Sequence, residues 1–262
     1  MSADEPGGSA LIGYTGFVGA NLLAQRAFDA RYNSGNIEEI AGRSFDLIVC
    51  AGAPAEKWKA NADPDRDLAN IERLADALRR AAARRVVLLS TVDVFGSPVG
   101  VDEESPVRTD GLHAYGRNRR LLEELVEARF DTTIVRLPGL YGPGLKKNII
   151  FDFLHENDVQ KVDSRGVFQF YDTTRLWRDL EVALKHRLTL VHLPTEPVSV
   201  ADVARAAFGV EFDNEVVAAP ARYDMRTRYA ALFGGNGAYI EDATQTLAGI
   251  GAFVAAARAK AT

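Results

Sequence analysis

The chain of 262 residues holds a single cysteine, Cys50, so no disulfide can form within it. Cys50 closes the apolar run Phe45-Asp-Leu-Ile-Val-Cys50, where a thiol packs as a small hydrophobe rather than reacts. Histidine is scarce too: His113, His155, His186 and His192 lack the spacing of a metal site, and no resident metal is expected. No apolar run approaches the ~20 residues that span a bilayer. The segment Met1 to Gly8 has neither the basic nor the apolar part of a signal peptide, so a flexible leader over residues 1–8 and a cytoplasmic location are expected. Excess positive charge is also missing. The 31 Lys and Arg against 36 Asp and Glu give a net charge of −5, which argues against nucleic acid or an anionic membrane surface as partner.

What is present is ample apolar material, 47% of residues, enough for one large α/β domain or for a nucleotide domain with a smaller companion. Ala10-Leu-Ile-Gly-Tyr-Thr-Gly-Phe-Val-Gly-Ala-Asn-Leu-Leu23 joins an apolar strand, three glycines at G-x-x-G-x-x-G spacing and the start of an amphipathic helix. It reads as a nucleotide-binding strand–turn–helix. Gly13 serves the tight turn, Gly16 the close approach of a pyrophosphate and Gly19 the packing of helix on sheet; phosphates favour such a helix N-terminus. Downstream, strands at about 30–35, 46–51, 85–90 and 132–137 alternate with helices at 65–83 and 114–129. Such alternation builds a doubly wound parallel sheet with ligands at the carboxyl ends of its strands. After Tyr141-Gly-Pro-Gly144 the elements shorten. We therefore expect a Rossmann domain over 9–143 and a smaller α/β substrate region over 144–262.

Some residues can carry chemistry at the strand ends. Ser90 and Thr91 close the fourth strand, where a hydroxyl either caps the strand or polarises a substrate oxygen. Tyr115 and Arg119 lie four apart on a helix and share a face. A cation there favours phenolate and draws the tyrosine down from ~10, suiting it to acid–base work. His113 could border the crevice. Asp102-Glu-Glu104 reads as an exposed loop. Arg222 to Gly237 carries more polar and glycine detail than a filler loop needs, as a substrate rim or a dimer contact would.

Taken in order, four motifs resemble the extended short-chain dehydrogenase/reductases, the NAD(P)-dependent epimerase/dehydratase group: the three glycines, Ser90-Thr91-x-x-Val94-Phe95-Gly96, Tyr115 with a basic residue four later, and Arg136-Leu-Pro-Gly-Leu-Tyr-Gly-Pro143. The short second strand and the Phe-Gly ending look most like the branch of sugar-nucleotide reductases. The resemblance implies an oxidoreductase or epimerase acting on a sugar-like hydroxyl or ketone. Tyr115 would pass the proton, Thr91 would anchor the oxygen, and Arg119 would tune the tyrosine and hold the nicotinamide ribose. Cofactor contacts are expected from Gly13, Thr15, Gly16, Phe17, Val18, Gly19, Ala51, Gly52, Ala53, Ser90, Tyr115, Arg119, Pro138 and Leu140. Asn70 matches the family's helix asparagine, and a homodimer is implied. At the end of the second strand, where an acid would bind ribose, stand Asn33 and Ser34 with Arg31 and Arg43 nearby, which tilts NAD(P) toward NADP. Arg119 replaces the family's lysine, and the two are not interchangeable. That departure leaves a non-catalytic NAD(P)-binding sensor or scaffold as the alternative.

Overall fold

A computed structural model describes residues 7–260; most of the leader expected over residues 1–8 lies outside the described residues. In chain order the elements are β1 (Ser9–Ile12), α1 (Phe17–Gln25), β2 (Ala30–Tyr32), β3 (Ser44–Cys50), α2 (Lys57–Ala62), α3 (Pro64–Arg79), β4 (Ala82–Thr91), β5 (Val99–Val101), α4 (Ala114–Glu127) and β6 (Thr132–Leu137). They continue with β7 (Gly139–Tyr141), α5 (Ile149–His155), β8 (Val167–Phe168), β9 (Phe170–Asp172), α6 (Leu176–Lys185), β10 (Leu190–His192), β11 (Val198–Ser199), α7 (Val200–Val203), β12 (Asp224–Met225) and α8 (Ala243–Ala259).

The chain divides into two compact units. The first comprises residues up to Gly96, Pro106–Arg136 and Leu176–Val191; the second comprises Ser97–Ser105, Leu137–Arg175 and the residues from His192 on. The single boundary expected after residue 143 is thus replaced by repeated crossings, and Leu137 already belongs to the second unit. Long-range packing accounts for it. Backbone N–H of Ile134 donates to the carbonyl of Thr189 (2.8 Å), and the Trp177 ring meets Phe28 edge-on at 5.9 Å and sits under Arg26, so 176–191 returns to the first unit.

The first unit is built on a six-stranded sheet of order β10-β6-β4-β3-β1-β2, and the pairs β1–β2, β1–β3 and β3–β4 are parallel. This is the expected Rossmann-like α/β fold. Strands covered on both faces read as apolar runs: all four residues of β1 and all six of β6 are buried. Cys50 is fully buried and its thiol is pushed up to about 11 by that burial, which leaves it unreactive. Helix starts follow local chemistry. Asp63 caps α3 by accepting from Arg66 N–H (3.2 Å), with Pro64 at the first helical position, where its missing donor costs nothing.

The second unit holds three two-stranded pairs, β7 with β9, β8 with β11 and β5 with β12, around Tyr141, Ile150, Phe170, Val198, Val203, Ile250 and Val254. It changes two expectations. Glu103, read as part of an exposed loop, accepts from His192 N–H (2.8 Å), the Thr227 hydroxyl (2.6 Å) and Arg228 N–H (3.0 Å). It is a structural clamp. The polar detail of 222–237 likewise has an architectural role: Asp224 and Met225 pair with β5, and a Cβ on Gly235 would run into the Tyr239 carbonyl. Burial, with Asp224 accepting from the hydroxyl, pushes the Tyr239 phenol up to about 12.

Candidate functional site in the first unit

The glycine turn has the geometry its spacing implies. Gly13 has φ of +85°, a conformation costly for other residues, and its N–H donates to the Tyr32 carbonyl (2.7 Å) while Gly16 N–H donates to the Gly13 carbonyl (3.0 Å). A Cβ on Gly13 would strike the Ala51 carbonyl, and one on Gly19 the Gly13 carbonyl. Ala51 and Gly52 therefore lie against the turn, and they and the following Ala53 are half-buried. Gly16 starts α1 without a side-chain cap, and the first turn bears no acid. The orphan N–H groups of that turn, with exposed Thr15 and Gly16 and half-buried Phe17 and Val18 around them, fit an anionic pyrophosphate. A Gly19→Ala substitution forces either the turn or α1 to move, and we expect it to weaken NADH binding at least about tenfold, measured by nicotinamide fluorescence.

At the ribose end of the turn the polar groups are partly engaged. Asn33 donates through Nδ2 to the Tyr14 hydroxyl (3.2 Å) and accepts from Gly35 N–H (2.8 Å); Ser34 is exposed. The nearby arginine is not Arg43. Arg43 precedes β3, and its carbonyl accepts from Ala82 N–H at the start of β4 (2.9 Å), so in this parallel sheet it sits at the opposite end. Arg73 of α3 is the one that reaches this corner, donating to the Ser34 carbonyl (3.0 Å) and pairing with Glu38. No local sequence signal joins Arg73 to Ser34, because the contact spans 39 positions.

The second cluster gathers at the end of β4 and the start of α4. Thr91 accepts from Asp93 N–H (3.1 Å), and its hydroxyl lies beside the Tyr115 phenol, where it favours the ionised form. Tyr115 is only 8% exposed, its backbone N–H donates to Asn61 Oδ1 of α2 (3.0 Å), and His113 caps α4 by accepting from Gly116 N–H at Nδ1 (3.0 Å). That bond needs a neutral ring. Burial, then the Lys57 ammonium, holds His113 below the usual histidine range.

Ser90 turns the other way. Its hydroxyl donates to Glu123 (2.5 Å), which also receives Arg136 through Nε (3.0 Å) and Nη2 (2.7 Å) and Arg120 (2.9 Å). Period-two alternation along β4 puts neighbours on opposite faces, so the side chain available for the site is Thr91, and Ser90 belongs to a buried charge network.

Arg119 departs furthest from expectation. Its guanidinium is 3% exposed and makes a two-point ion pair with Asp67, donates to the carbonyls of Pro54 and Tyr115, and lies 4.0 Å from the centre of the Tyr115 ring. Asp67 also accepts from Asn118 (2.8 Å). Its charge is largely answered by Asp67. Burial consequently pushes the Tyr115 phenol above its usual value, against the lowering effect of Arg119, so the expectation of a phenol drawn down toward neutral pH is corrected. Asn70 is exposed; Asp67, three residues earlier on α3, is the one that faces α4. Arg119 Nε is buried and has no hydrogen-bond partner among the described residues. Pro138 and Leu140 lie in the second unit, the first buried before β7 and the second within it. Among the described residues no cluster of His, Cys, Asp or Glu is placed to hold a metal, and no helix is long and apolar enough to cross a membrane.

A parallel sheet with an uncapped glycine turn on its first helix, and with Thr91 beside Tyr115 at the end of β4, has the form of a dinucleotide-binding α/β protein of the short-chain dehydrogenase/reductase kind. More closely, residues 28–180 match the NAD dependent epimerase/dehydratase family, and the chain belongs to that enzyme family. No curated protein matches it significantly. Among solved structures, MoeE5 in complex with UDP-glucose and NAD is 18% identical, with 98% of this chain and 100% of that one covered and a TM-score of 0.71. A dTDP-4-dehydrorhamnose reductase from Clostridium acetobutylicum is 16% identical over 95% and 99% of the two chains, with a TM-score of 0.72. RMD from Pseudomonas aeruginosa complexed with NADPH is 16% identical over the same 95% and 99%, with a TM-score of 0.67. These likenesses show a shared fold.

Proposed function

We propose that this enzyme is an NAD(P)-dependent reductase of a keto sugar carried on a nucleotide, with Tyr115 as proton donor and Thr91 as anchor of the reacting oxygen. The observation that carries the reading is the placement of the Thr91 hydroxyl beside the Tyr115 phenol at the carboxyl end of β4, in a chain whose family is nicotinamide-dependent. When bound, the nicotinamide supplies the hydride. The protein's own part is to orient and to move a proton. Thr91 Oγ1 holds the substrate oxygen beside Tyr115 Oη, and the phenol, kept protonated at neutral pH by burial, gives its proton to that oxygen as negative charge builds there. Arg119 is stacked on the ring and held there by Asp67. The nucleotide sugar is supported by the ligand named for MoeE5 and by the substrate named for the Clostridium reductase, both of the same fold. A formed Thr–Tyr pair in this family favours catalysis over the sensor or scaffold role.

The test is oxidation of NADPH or NADH, followed at 340 nm, with a dTDP-4-keto-6-deoxyhexose as oxidant. Turnover that requires Tyr115 and Thr91 supports the reading; turnover equal in Thr91→Val and the parent chain would count against it. Ser34 and Arg73 together offer a hydroxyl and a cation to a 2′-phosphate, so NADPH is the preferred cofactor in this reading. Arg73→Ala should then weaken NADPH binding about tenfold, as the loss of one charge-assisted phosphate contact does, while NADH binding changes less than about twofold; equal losses for both would remove the preference.

A further inference from the structure

Helix α2 is absent from the sequence reading, yet it is tied to the site at two points one turn apart. Lys57, in its first turn, pairs with Asp93 (Nζ–Oδ1 2.7 Å), and Asn61, four residues on, accepts from Tyr115 N–H. Residues at this spacing share a helix face. Asp93 is in turn seated on α4: a Cβ on Gly116 would run into the Asp93 carbonyl, and Asp93 N–H holds Thr91 Oγ1. The segment that carries Thr91 and Asp93 is therefore pressed against the residue following Tyr115, and glycine there permits it.

The charged and titratable groups around the phenol come from four directions. Arg119 lies beneath the ring, bound to Asp67 of α3; His113 flanks it, its ring centre 6.4 Å away; Asp93 follows β4; Lys57 comes from α2. Of these, Asp93 is the one whose charge opposes ionisation of Tyr115, whereas Lys57 and Arg119 favour it. Arg119 is immobilised by Asp67 and Pro54. Lys57 is different, with its side chain 38% exposed and its ammonium on the offending carboxylate.

We propose that Lys57 is a positioning residue of this site, one that acts through Asp93: the ion pair keeps the carboxylate's negative charge off the Tyr115 phenol and fixes the turn bearing Thr91. The inference rests on the reading of Tyr115 as proton donor and names a residue on which that donor depends. In proton transfer to a substrate oxygen, the Oη–H bond of Tyr115 breaks, the proton passes to the oxygen, and the phenolate left behind is the species an uncompensated Asp93 disfavours. The ion pair relieves that cost.

The experiment combines a titration needing no substrate with a rate measurement. Protein labelled with ¹³C at tyrosine Cζ is titrated from pH 8 to 11.5, and the Tyr115 signal is identified by its loss in Tyr115→Phe. In Lys57→Met the Tyr115 phenolate fraction at about pH 10, where the lysine it replaces is still largely charged, should fall about tenfold, the effect of losing one nearby opposite charge; at that pH Lys57→Arg should match the parent chain. Adding Asp93→Asn to Lys57→Met removes the unpaired carboxylate and should restore the phenolate fraction, a coupling that a purely structural role would not produce. The rate kcat of keto-sugar reduction should follow the same order, with KM for NADPH unchanged. If Lys57→Met leaves the Tyr115 titration where it was, or if Asp93→Asn deepens its effect, the proposal is overturned even where Tyr115→Phe is inactive. Should Tyr115→Phe retain full activity, the proton-donor reading falls and this inference with it.

Discussion

Tyr115→Phe is expected to lower kcat for keto-sugar reduction by about 10²–10⁴-fold, the usual worth of a positioned proton donor, while binding of NADPH stays within about twofold. The substitution removes one hydroxyl and keeps the ring on which Arg119 is stacked, so the fold around it should stand. Steady-state kinetics and cofactor fluorescence measured on the same preparation separate the two quantities. A kcat within threefold of the parent would remove Tyr115 from the chemistry. Arg119→Lys should not improve the enzyme. A single ammonium cannot reproduce the two-point pair with Asp67 together with the bond to the Pro54 carbonyl, so the variant should lose stability before it gains activity.

The largest effect on stability should come from Glu123→Ala. Glu123 is fully buried and Arg136 is 2% exposed; the carboxylate receives two bonds from Arg136 and one each from Ser90 and Arg120. Removing it leaves the buried Arg136 cation without its counter-charge, which costs about 3–5 kcal/mol, a large part of the 5–15 kcal/mol that ordinarily holds a domain together. Urea unfolding at pH 7 measures it, and a midpoint unchanged from the parent would refute the assignment. The pH dependence has a definite sign. Burial works against ionisation of Glu123, but its bonds from Arg136, Ser90 and Arg120 outweigh it and hold the carboxyl below the usual glutamate range. A carboxylate lowered on folding contributes stability that is complete above its unfolded value of about 4.3 and is lost as pH falls through the lower folded value. Glu123→Gln should therefore lose stability at pH 7 and show a shallower acid decline than the parent.

Much of the first unit could be read locally. The β1 run, Gly13, Gly19 and the start of α1 lie within a dozen residues, and each obeys a rule of backbone conformation or close packing that its neighbours suffice to state. The alternation of buried strands with amphipathic helices is local in the same sense, and β3, α3, β4, α4 and β6 fall close to where periodicity puts them. Thr91 and Tyr115 were legible through their place at the end of a strand and the start of a helix. Side-chain partners were not. Ser90 and Thr91 are adjacent in sequence, and only the position of α4 reveals that one hydroxyl is bonded to Glu123 while the other lies beside the Tyr115 phenol. Asp67 and Asn70 occupy one helix, and the facing of α3 toward α4 picks Asp67.

Amino-acid order by itself determined the sheet's strands, the glycine turn and the two hydroxyl-bearing positions of the proposed site, because these follow from conformational preference and hydrophobic period over short stretches. Tertiary structure alone decided the electrostatics. Which cation is spent on Asp67, which carboxylate Lys57 restrains, and which arginine reaches Ser34 are contacts between residues 36 to 52 positions apart. Their energies depend on burial and on the distance between charges, and neither exists until the helices are packed on the sheet.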